Sequence, residues 1–386
     1  MVIPEETDVF VVGGGPAGLA AALAARQRGF EVCVADRAQP PIDKACGEGL
    51  MPDGVAGLRR LGVVLDSGQG MPFHGIRFIG GGQTAEAVFP GESGIGMRRT
   101  QLHRILIERA QAAGIVTAWQ TQVMGLDPAG VRIGDRIIRC RWIIGADGYL
   151  SRIRQWAGME ILWDGGRRIG LRQHFRVKPW SDTVEVHWLQ GCQAYVTPVG
   201  ADQVCVAVLG KVPGMSTTEL AIPFPVLAGH LAQAEPIGPV RGSFSASTRL
   251  RWVTQGRIAL VGDASGSVDA ITGEGLALAF RQAEALGAAL GAGDLGAYEA
   301  MHRRIGRMPL LMSRLLLLMN EREGLRKAAL SALAARPHRF SRLLAAHIGA
   351  RHPAMMTLDA LPLALDLFGA WAGEWGAGAS IAETAR

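Results

Sequence analysis

The chain carries three related stretches: VVGGGPAGLA at Val11–Ala20, IGADGYLSRIR at Ile144–Arg154 and RIALVGDASGSVDAITGEGL at Arg257–Leu276. Each begins with apolar residues typical of a buried strand, passes through a turn containing glycine, and ends in residues typical of a helix. One such stretch is a weak signal, because glycine-rich turns are common. Three of them in this order predict an α/β chain that returns twice to one bound dinucleotide.

The first stretch contains the pattern G-x-G-x-x-G, formed by Gly13, Gly15 and Gly18. The first glycine permits a tight turn, the second lets a pyrophosphate approach the backbone, and the third lets the helix pack on the strand. Pro16 and Ala17 open that helix, whose free N–H groups can face phosphates. Asp36 lies 18 residues after Gly18, at the end of the second predicted strand. A carboxylate at this position can accept hydrogen bonds from ribose hydroxyls.

The second and third stretches each place an aspartate after an apolar strand. Asp147 precedes a short predicted helix at Ser151–Trp156, which Ser151 can cap, and a surface turn is the alternative interpretation of Asp147. Asp263 can accept a hydrogen bond from a ribityl hydroxyl of a flavin, and its alternative is again a helix cap. Gly273, Glu274 and Gly275 open a predicted helix whose N-terminus can stabilise an anionic flavin ring.

Composition restricts the class of protein. A chain of 386 residues is long enough for two domains. The net charge of +6 favours a solvated basic surface, or steering of an anionic cofactor or a membrane surface. No basic tract interleaved with aromatic residues predicts nucleic-acid binding. The five cysteines lack metal-ligand spacing, which predicts no metal site and favours a reduced, cytoplasmic setting.

The predicted domains are interleaved along the chain. Residues 1–70, 95–165 and 255–295 are expected to form the dinucleotide-binding domain. Residues 70–95 and 165–255 carry alternating strand-like runs, and they are expected to form a mainly antiparallel substrate domain. Residues 296–386 are expected to form a C-terminal helical region.

These motifs resemble the flavoprotein superfamily of para-hydroxybenzoate hydroxylase, geranylgeranyl reductases and flavin-dependent halogenases, over roughly residues 5–295. The resemblance implies a Rossmann-like FAD-binding domain, and it implies FAD contacts beyond the three glycines, Asp36, Asp147 and Asp263. Arg99, ahead of Leu102 and Leu106, resembles the arginine that reaches the FAD pyrophosphate. The other implied contacts are Pro16, Ala17, Arg37, Cys46, Gly47, Val123, Gly262, Gly273, Glu274, Gly275 and Leu276.

Departures from the family patterns bear on the reaction. Ser265–Gly266 replaces the Ala-His pair of aromatic hydroxylases, and no proline follows. The lysine expected of halogenases is missing near Phe73–Phe78, and Ala194–Pro198 stands where their tryptophan motif would lie. Cys46–Gly49 and Gly262–Gly275 are most similar to geranylgeranyl reductases, which use reduced FAD to hydrogenate isoprenoid double bonds.

The resemblance therefore favours reduction of C=C bonds in a hydrophobic small molecule, by hydride transfer from reduced FAD. The alternative is a monooxygenase that hydroxylates an aromatic or polyketide substrate through a C4a-hydroperoxide, and a redox-sensing protein without turnover is a third interpretation. Electrons would come from NAD(P)H, bound without a second Rossmann domain, or from a separate reductase. Cys46 is predicted either to donate a proton or to line the pocket.

The predicted substrate sheet also carries side chains that can line a pocket: His74, His174, His187 and Tyr195. Strand alternation directs only some of them inward. The C-terminal helices are rich in Leu, Met and Arg. They are interpreted either as a helical cap with snorkelling arginines or as a basic amphipathic surface in peripheral contact with a membrane.

Overall fold

The computed structural model describes residues 3–66, 68–210 and 223–349. The helices within these ranges are α1 Pro16–Arg26, α2 Pro52–Arg60, α3 Arg99–Ala112, α4 Arg152–Trp156, α5 Pro225–Leu231, α6 Gly275–Ala292, α7 Leu295–Glu321, α8 Glu323–Ala335 and α9 Pro337–His347.

The strands of the same residues fall into two large sheets and two small ones. They are β1 Glu6–Val12, β2 Val32–Ala35, β3 Gly49–Leu50, β4 Met71–Phe73, β5 Gly75–Gly80, β6 Gln83–Val88, β7 Gly94–Gly96, β8 Val116–Ala118, β9 Gly125–Asp127, β10 Gly130–Ile133, β11 Arg136–Gly145, β12 Ile161–Asp164, β13 Arg168–Arg176, β14 Val184–Leu189, β15 Cys192–Gly200, β16 Gln203–Gly210, β17 Glu235–Ser245, β18 Thr248–Leu250, β19 Thr254–Gln255 and β20 Ile258–Leu260.

The first large sheet has the order β19-β20-β11-β1-β2-β8 and is parallel from β20 to β8. Its central strands are apolar because helices cover them; β1, for example, packs at the centre of the main hydrophobic core. Strands β1, β11 and β20 lead into the three glycine-containing stretches, whose turns therefore meet at one edge of the sheet. This part of the fold confirms the predicted α/β dinucleotide-binding architecture.

The second large sheet has the order β17-β13-β16-β15-β14-β5-β6, in which only the β14–β5 pair is parallel. It is the predicted, mainly antiparallel sheet. Of the predicted segment 70–95, β5 and β6 belong to this sheet. Strands β4 and β7, at the two ends of the segment, instead join β3 in a three-stranded sheet, because β7 pairs with both of them.

Two helix boundaries differ from the prediction. Helix α6 begins at Gly275 rather than at Gly273, because Gly273 adopts a left-handed φ of 70° and ends a short 3-10 turn. The sequence also predicts a helix over Ser216–Leu231. Helix α5 covers its last seven residues, whereas residues 211–222 lie outside the described part of the chain.

Helices α8 and α9 pack on the second sheet, where Leu333, Phe340 and Leu344 form a hydrophobic cluster with Phe73 and Phe89. This confirms a C-terminal helical region up to residue 349, and residues 350–386 lie outside the described chain. In the described ranges we find no helix that is both long and apolar enough to cross a bilayer.

Candidate functional site

One large cavity lies between the edge of the parallel sheet and the inner face of the second sheet. Its volume is about 1180 Å³, above the range of about 300–1,000 Å³ common for single small-molecule sites. One part, which we call the cofactor arm, is lined by the three glycine-containing stretches. The other part, the apolar arm, is lined by β5, β14, α7, α8 and α9. The size and the two arms fit a dinucleotide together with a second molecule.

The glycines of the first stretch are required by close backbone contacts. A Cβ atom on Gly13, where φ is +109°, would lie 2.4 Å from the oxygen of Ala146. A Cβ on Gly18 would lie 1.8 Å from the oxygen of Gly13, whereas a Cβ on Gly15 would meet nothing within 4 Å. Gly15 therefore faces open cavity at the N-terminus of α1, which no side chain caps. This end of α1 can accept a pyrophosphate.

Asp36 and His103 hold the glycine-rich turn in place. The Gly14 N–H donates to Asp36 Oδ2 over 2.7 Å, and His103 Nε2 lies 2.7 Å from the Gly14 carbonyl oxygen. Because His103 Nδ1 accepts from the Ile42 N–H, the Nε2 atom carries the proton that bonds Gly14. Burial lowers the pKa of His103, which favours this neutral form. Sequence reasoning missed His103, because its helix position looks like an ordinary buried one.

The carboxylate of Asp147 serves mainly as a helix cap. It accepts hydrogen bonds from the Ser151 hydroxyl at 2.5 Å and from the Arg152 N–H at 2.7 Å. Ser151 in turn accepts from the Arg154 N–H, as predicted. The buried Arg154 guanidinium donates to the carbonyl oxygens of Tyr149 and Ala264. It therefore ties the second stretch to the third.

Asp263 lies on the wall of the cofactor arm, 2.8 Å from Lys44 Nζ. Burial opposes ionisation of the Asp263 carboxyl, but the Lys44 ammonium group outweighs it and lowers the pKa overall. An ionised acceptor at this point fits a hydroxyl donor such as a ribityl chain. Arg99 also reaches the wall, and its buried Nε atom has no hydrogen-bond partner among the described residues. A free guanidinium N–H fits an anionic phosphate.

Most of the predicted cofactor residues lie on the cavity wall. They are Gly13, Gly15, Pro16, Ala17, Asp36, Arg37, Cys46, Gly47, Arg99, Val123, Asp147, Gly262, Asp263, Gly273, Gly275 and Leu276. Gly18 lies behind the wall, where it packs α1 on the strand. The prediction for Glu274 needs correction, because its side chain is buried, does not line the cavity, and points toward Arg281 of α6 and His347 of α9.

Of the four predicted substrate-pocket residues, only Tyr195 lines the cavity. His74 is exposed and bonds Ser93, and His174 is buried behind the wall. His187 lies on the face of β14 opposite to Val186, which lines the cavity, and contacts Glu185 at 3.1 Å. The predictions for these three histidines are therefore wrong. Strand alternation directs His187 away from the pocket, and side-chain partners hold all three rings outside it.

A buried ion-pair network that the sequence did not reveal supports the loop Cys46–Gly49. Glu48, at a left-handed φ of 60°, accepts from the Arg99 N–H at 3.0 Å and from His174 Nε2 at 2.6 Å. Arg172 donates to His174 Nδ1 at 2.9 Å and also bonds Asp43. Because the Arg172 donor faces Nδ1, the His174 proton must reside on Nε2.

This network sets the position of Cys46, whose sulfur accepts from the Glu48 N–H at 3.4 Å. Cys46 is half-buried and lies on the cavity wall. Its predicted catalytic role is consistent with this position and stays a prediction. The left-handed backbone of Glu48 is strained for a residue with a side chain. The two charge-assisted hydrogen bonds of its carboxylate therefore hold the loop in place.

We expect Glu48→Gln to lower the free energy of unfolding by about 2 kcal/mol. Glutamine places an N–H donor against either the Arg99 N–H or the His174 Nε2–H, so one buried donor loses its acceptor. Denaturant unfolding of the FAD-free protein measures the effect. The control is Glu92→Gln, whose exposed carboxylate pairs with Arg59 and should change stability by no more than about 0.5 kcal/mol. Equal stabilities of both variants and the original protein would contradict this account.

The apolar arm contrasts with the cofactor arm in chemistry. Its lining residues include Phe78, Val186, Trp188, Leu316, Met319 and Phe340. Among the described residues, the five elements that define this arm contribute one ionisable side chain to the wall, His347 of α9. Such a surface binds hydrocarbon and excludes water.

Comparison with known proteins supports the assignment of the cofactor. Residues 6–196 match the family model described as an FAD binding domain. The chain is 30% identical over 296 residues to the menaquinone reductase of Mycolicibacterium smegmatis, covering 70% of this chain and 72% of that protein. It is 25% identical over 302 residues to digeranylgeranylglycerophospholipid reductase 2 of Methanosphaera stadtmanae, covering 70% and 74% of the two chains.

A solved flavoprotein/dehydrogenase from Cytophaga hutchinsonii has the same fold, with a TM-score of 0.77 at 19% identity over 89% of this chain and 93% of that one. The fold, the glycine geometry and the free donors on the cofactor arm agree with these matches. The chain belongs to the family of FAD-dependent oxidoreductases that share this FAD-binding domain.

Proposed function

We propose that this oxidoreductase reduces C=C bonds in the isoprenoid chain of a hydrophobic lipid. The observation that carries the proposal is the continuity of the cofactor arm with the apolar arm in one cavity. An isoprenoid chain offers no polar groups, and this wall presents almost none. The relatives support this class, because menaquinone and digeranylgeranyl lipids both carry isoprenoid chains.

When bound, reduced FAD would supply the hydride for the reduction. The chain's own residues bind and orient the reactants. The α1 N-terminus and Arg99 would hold the pyrophosphate, and Asp36 and Asp263 would accept hydroxyl hydrogen bonds. Hydrocarbon side chains of the apolar arm position the alkene and exclude water, which would otherwise admit side reactions.

The test is anaerobic turnover. Protein loaded with FAD is reduced with dithionite under nitrogen and mixed with geranylgeraniol or with a menaquinone carrying a geranylgeranyl chain. We expect mass spectrometry to show two added hydrogen atoms in the chain, after air has reoxidised any quinone ring. Dithionite with free FAD is the control. An unchanged chain, together with incorporation of an oxygen atom when O₂ is admitted, would instead establish the monooxygenase alternative.

The electron donor and the membrane contact belong to the same proposal. Anaerobic mixing of the oxidised protein with NADPH or NADH distinguishes a nicotinamide donor from a separate reductase.

Leu315 and Leu318 of α7 both line the cavity and remain partly exposed, which supports lipid entry from a membrane surface. The absence of sedimentation with anionic phospholipid vesicles would contradict that contact.

A further inference from the structure

A group of ionisable side chains is buried beneath the N-terminus of α6, outside the site described so far. Glu274, which is 1% exposed, lies 3.5 Å from Arg281 Nη2, and Asp53 lies 3.6 Å from the same nitrogen. Neither oxygen of Asp53 has a hydrogen-bond partner among the described residues, and the same holds for Glu274 Oε2. Two carboxyl groups therefore share a single guanidinium group.

His347 connects this group to the cavity. Its Nε2 atom lies 3.5 Å from Glu274 Oε2, and its Nδ1 atom is buried with no hydrogen-bond partner in the described chain. The ring lies at the cavity wall, beside the Thr272 backbone of the third stretch. Its position is unusual, because the rest of the wall formed by β5, β14 and the C-terminal helices is uncharged in the residues described.

The electrostatics favour a stored proton. Burial raises the pKa of Glu274 to about 8, with Asp53 adding to the shift and Arg281 opposing it. Burial also raises the pKa of Asp53, against the opposing effect of Arg281. In contrast, burial lowers the pKa of His347 to about 4, with the Thr272 backbone opposing the shift and Arg281 adding to it, so the ring is neutral at pH 7. A neutral carboxyl group thus faces a neutral imidazole, and the pair can pass a proton without a buried charge at rest.

We propose that Glu274 and His347 form a proton relay that serves the reduction of C=C bonds in the apolar arm. This inference rests on the proposed function. Reduced FAD would supply a hydride for one new C–H bond, and the electron pair of the broken π bond would form the other C–H bond with the Nδ1 proton of His347. The Glu274 carboxyl proton then passes to Nε2 of the resulting imidazolate. Solvent supplies one proton, and the imidazole returns to the tautomer with its proton on Nδ1. The flavin is oxidised, the alkene is reduced, and the enzyme regains its resting protonation.

The kinetic test is single-turnover oxidation of the reduced holoenzyme by geranylgeraniol under nitrogen, measured from pH 6 to 9. We expect the rate of the original protein to fall above about pH 8, as Glu274 loses its proton. Glu274→Gln keeps the shape of the side chain but holds no acidic proton, and should lower the rate about 100-fold and remove this pH dependence. The matched control is Glu284→Gln, in α6, whose carboxylate pairs with Arg60 and which should retain the original rate and profile.

His347 is tested by replacement with alanine and by adding imidazole, which can enter the space that the ring leaves. We expect the variant to be slow and imidazole to restore part of the rate, a result that a purely structural role would not give. Thermal unfolding of each variant verifies that it is folded. If the original protein reduces the substrate and both Glu274→Gln and the His347 alanine variant do so at the same rate, the relay is overturned while the proposed function stands.

A readout independent of activity is the infrared band of protonated carboxyl groups in the FAD-free protein. We expect a carboxylic C=O band at pH 7 that disappears with a midpoint near pH 8, is lost in Glu274→Gln and remains in Glu284→Gln. If Glu274→Gln keeps the carboxylic C=O band, Glu274 does not store a proton and the relay is overturned. If the original protein reduces neither substrate, the proposed function fails and the relay assigned to it fails too, whatever the infrared result.

Discussion

Replacement of Gly18 by alanine is expected to destabilise the FAD-free protein by about 3 kcal/mol and to abolish retention of FAD. Helix propensity alone predicts that this substitution stabilises the protein, because alanine stabilises a helix interior by about 1 kcal/mol relative to glycine. Packing decides against it, since the new Cβ would lie 1.8 Å from the Gly13 oxygen and the obstacle is backbone. The helix must move off the strand, and overpacking of this kind costs about 1–3 kcal/mol or more.

The control for this prediction is Gly15→Ala, three residues earlier. Gly15 has a φ of −69°, which alanine adopts without strain, and its Cβ would meet nothing within 4 Å. We expect the FAD-free stability to stay within about 0.5 kcal/mol of the original. FAD affinity should nevertheless fall at least about 10-fold, because the methyl group occupies the approach of the pyrophosphate. Denaturant unfolding and flavin fluorescence titration measure the two quantities; unchanged affinity in Gly15→Ala would place the pyrophosphate elsewhere.

The same contrast explains why the cofactor arm could be predicted from sequence. Each of its signals is local: a strand, a turn that requires glycine and a helix follow one another within about 20 residues. The topology then brings the three stretches together, because carboxyl ends of parallel strands share one edge of the sheet. The carboxylates of Asp147 and Asp36 are not wholly free, however, because their oxygen atoms already accept hydrogen bonds from backbone N–H groups.

The remainder of the site depends on pairs that are distant in sequence. Glu48 and His174 are 126 residues apart, and no periodicity links them. The orientation of His187 depends on the register of β14, which composition does not determine and which a shift of one residue would reverse. Glu274 lies within a recognisable motif, but its side chain turns toward partners on α6 and α9. Its chemistry could therefore be found only in the structure.

The buried carboxyl of Glu274 should also make stability depend on pH. Its pKa is about 8 in the folded protein and about 4.5 when unfolded. Because folding raises the pKa, the protonated side chain contributes stability that is complete below pH 4.5 and is lost as the pH rises through 8. The slope is about 1.4 kcal/mol per pH unit, which gives roughly 2 kcal/mol between pH 6.5 and 8. The pKa of His347, lowered to about 4, has its effect below pH 6.5, outside this window.

Glutamine at position 274 does not titrate, so the free energy of unfolding of the original protein minus that of Glu274→Gln should decrease over this window. Groups that titrate alike in both proteins cancel in the difference. Urea unfolding measured at pH 6.5, 7.3 and 8 resolves a slope of this size. The exposed Glu108 provides the control, because Glu108→Gln should give a flat difference. A flat difference for Glu274→Gln as well would mean that this carboxyl is already ionised at neutral pH, with Arg281 stabilising its charge more strongly than burial opposes it.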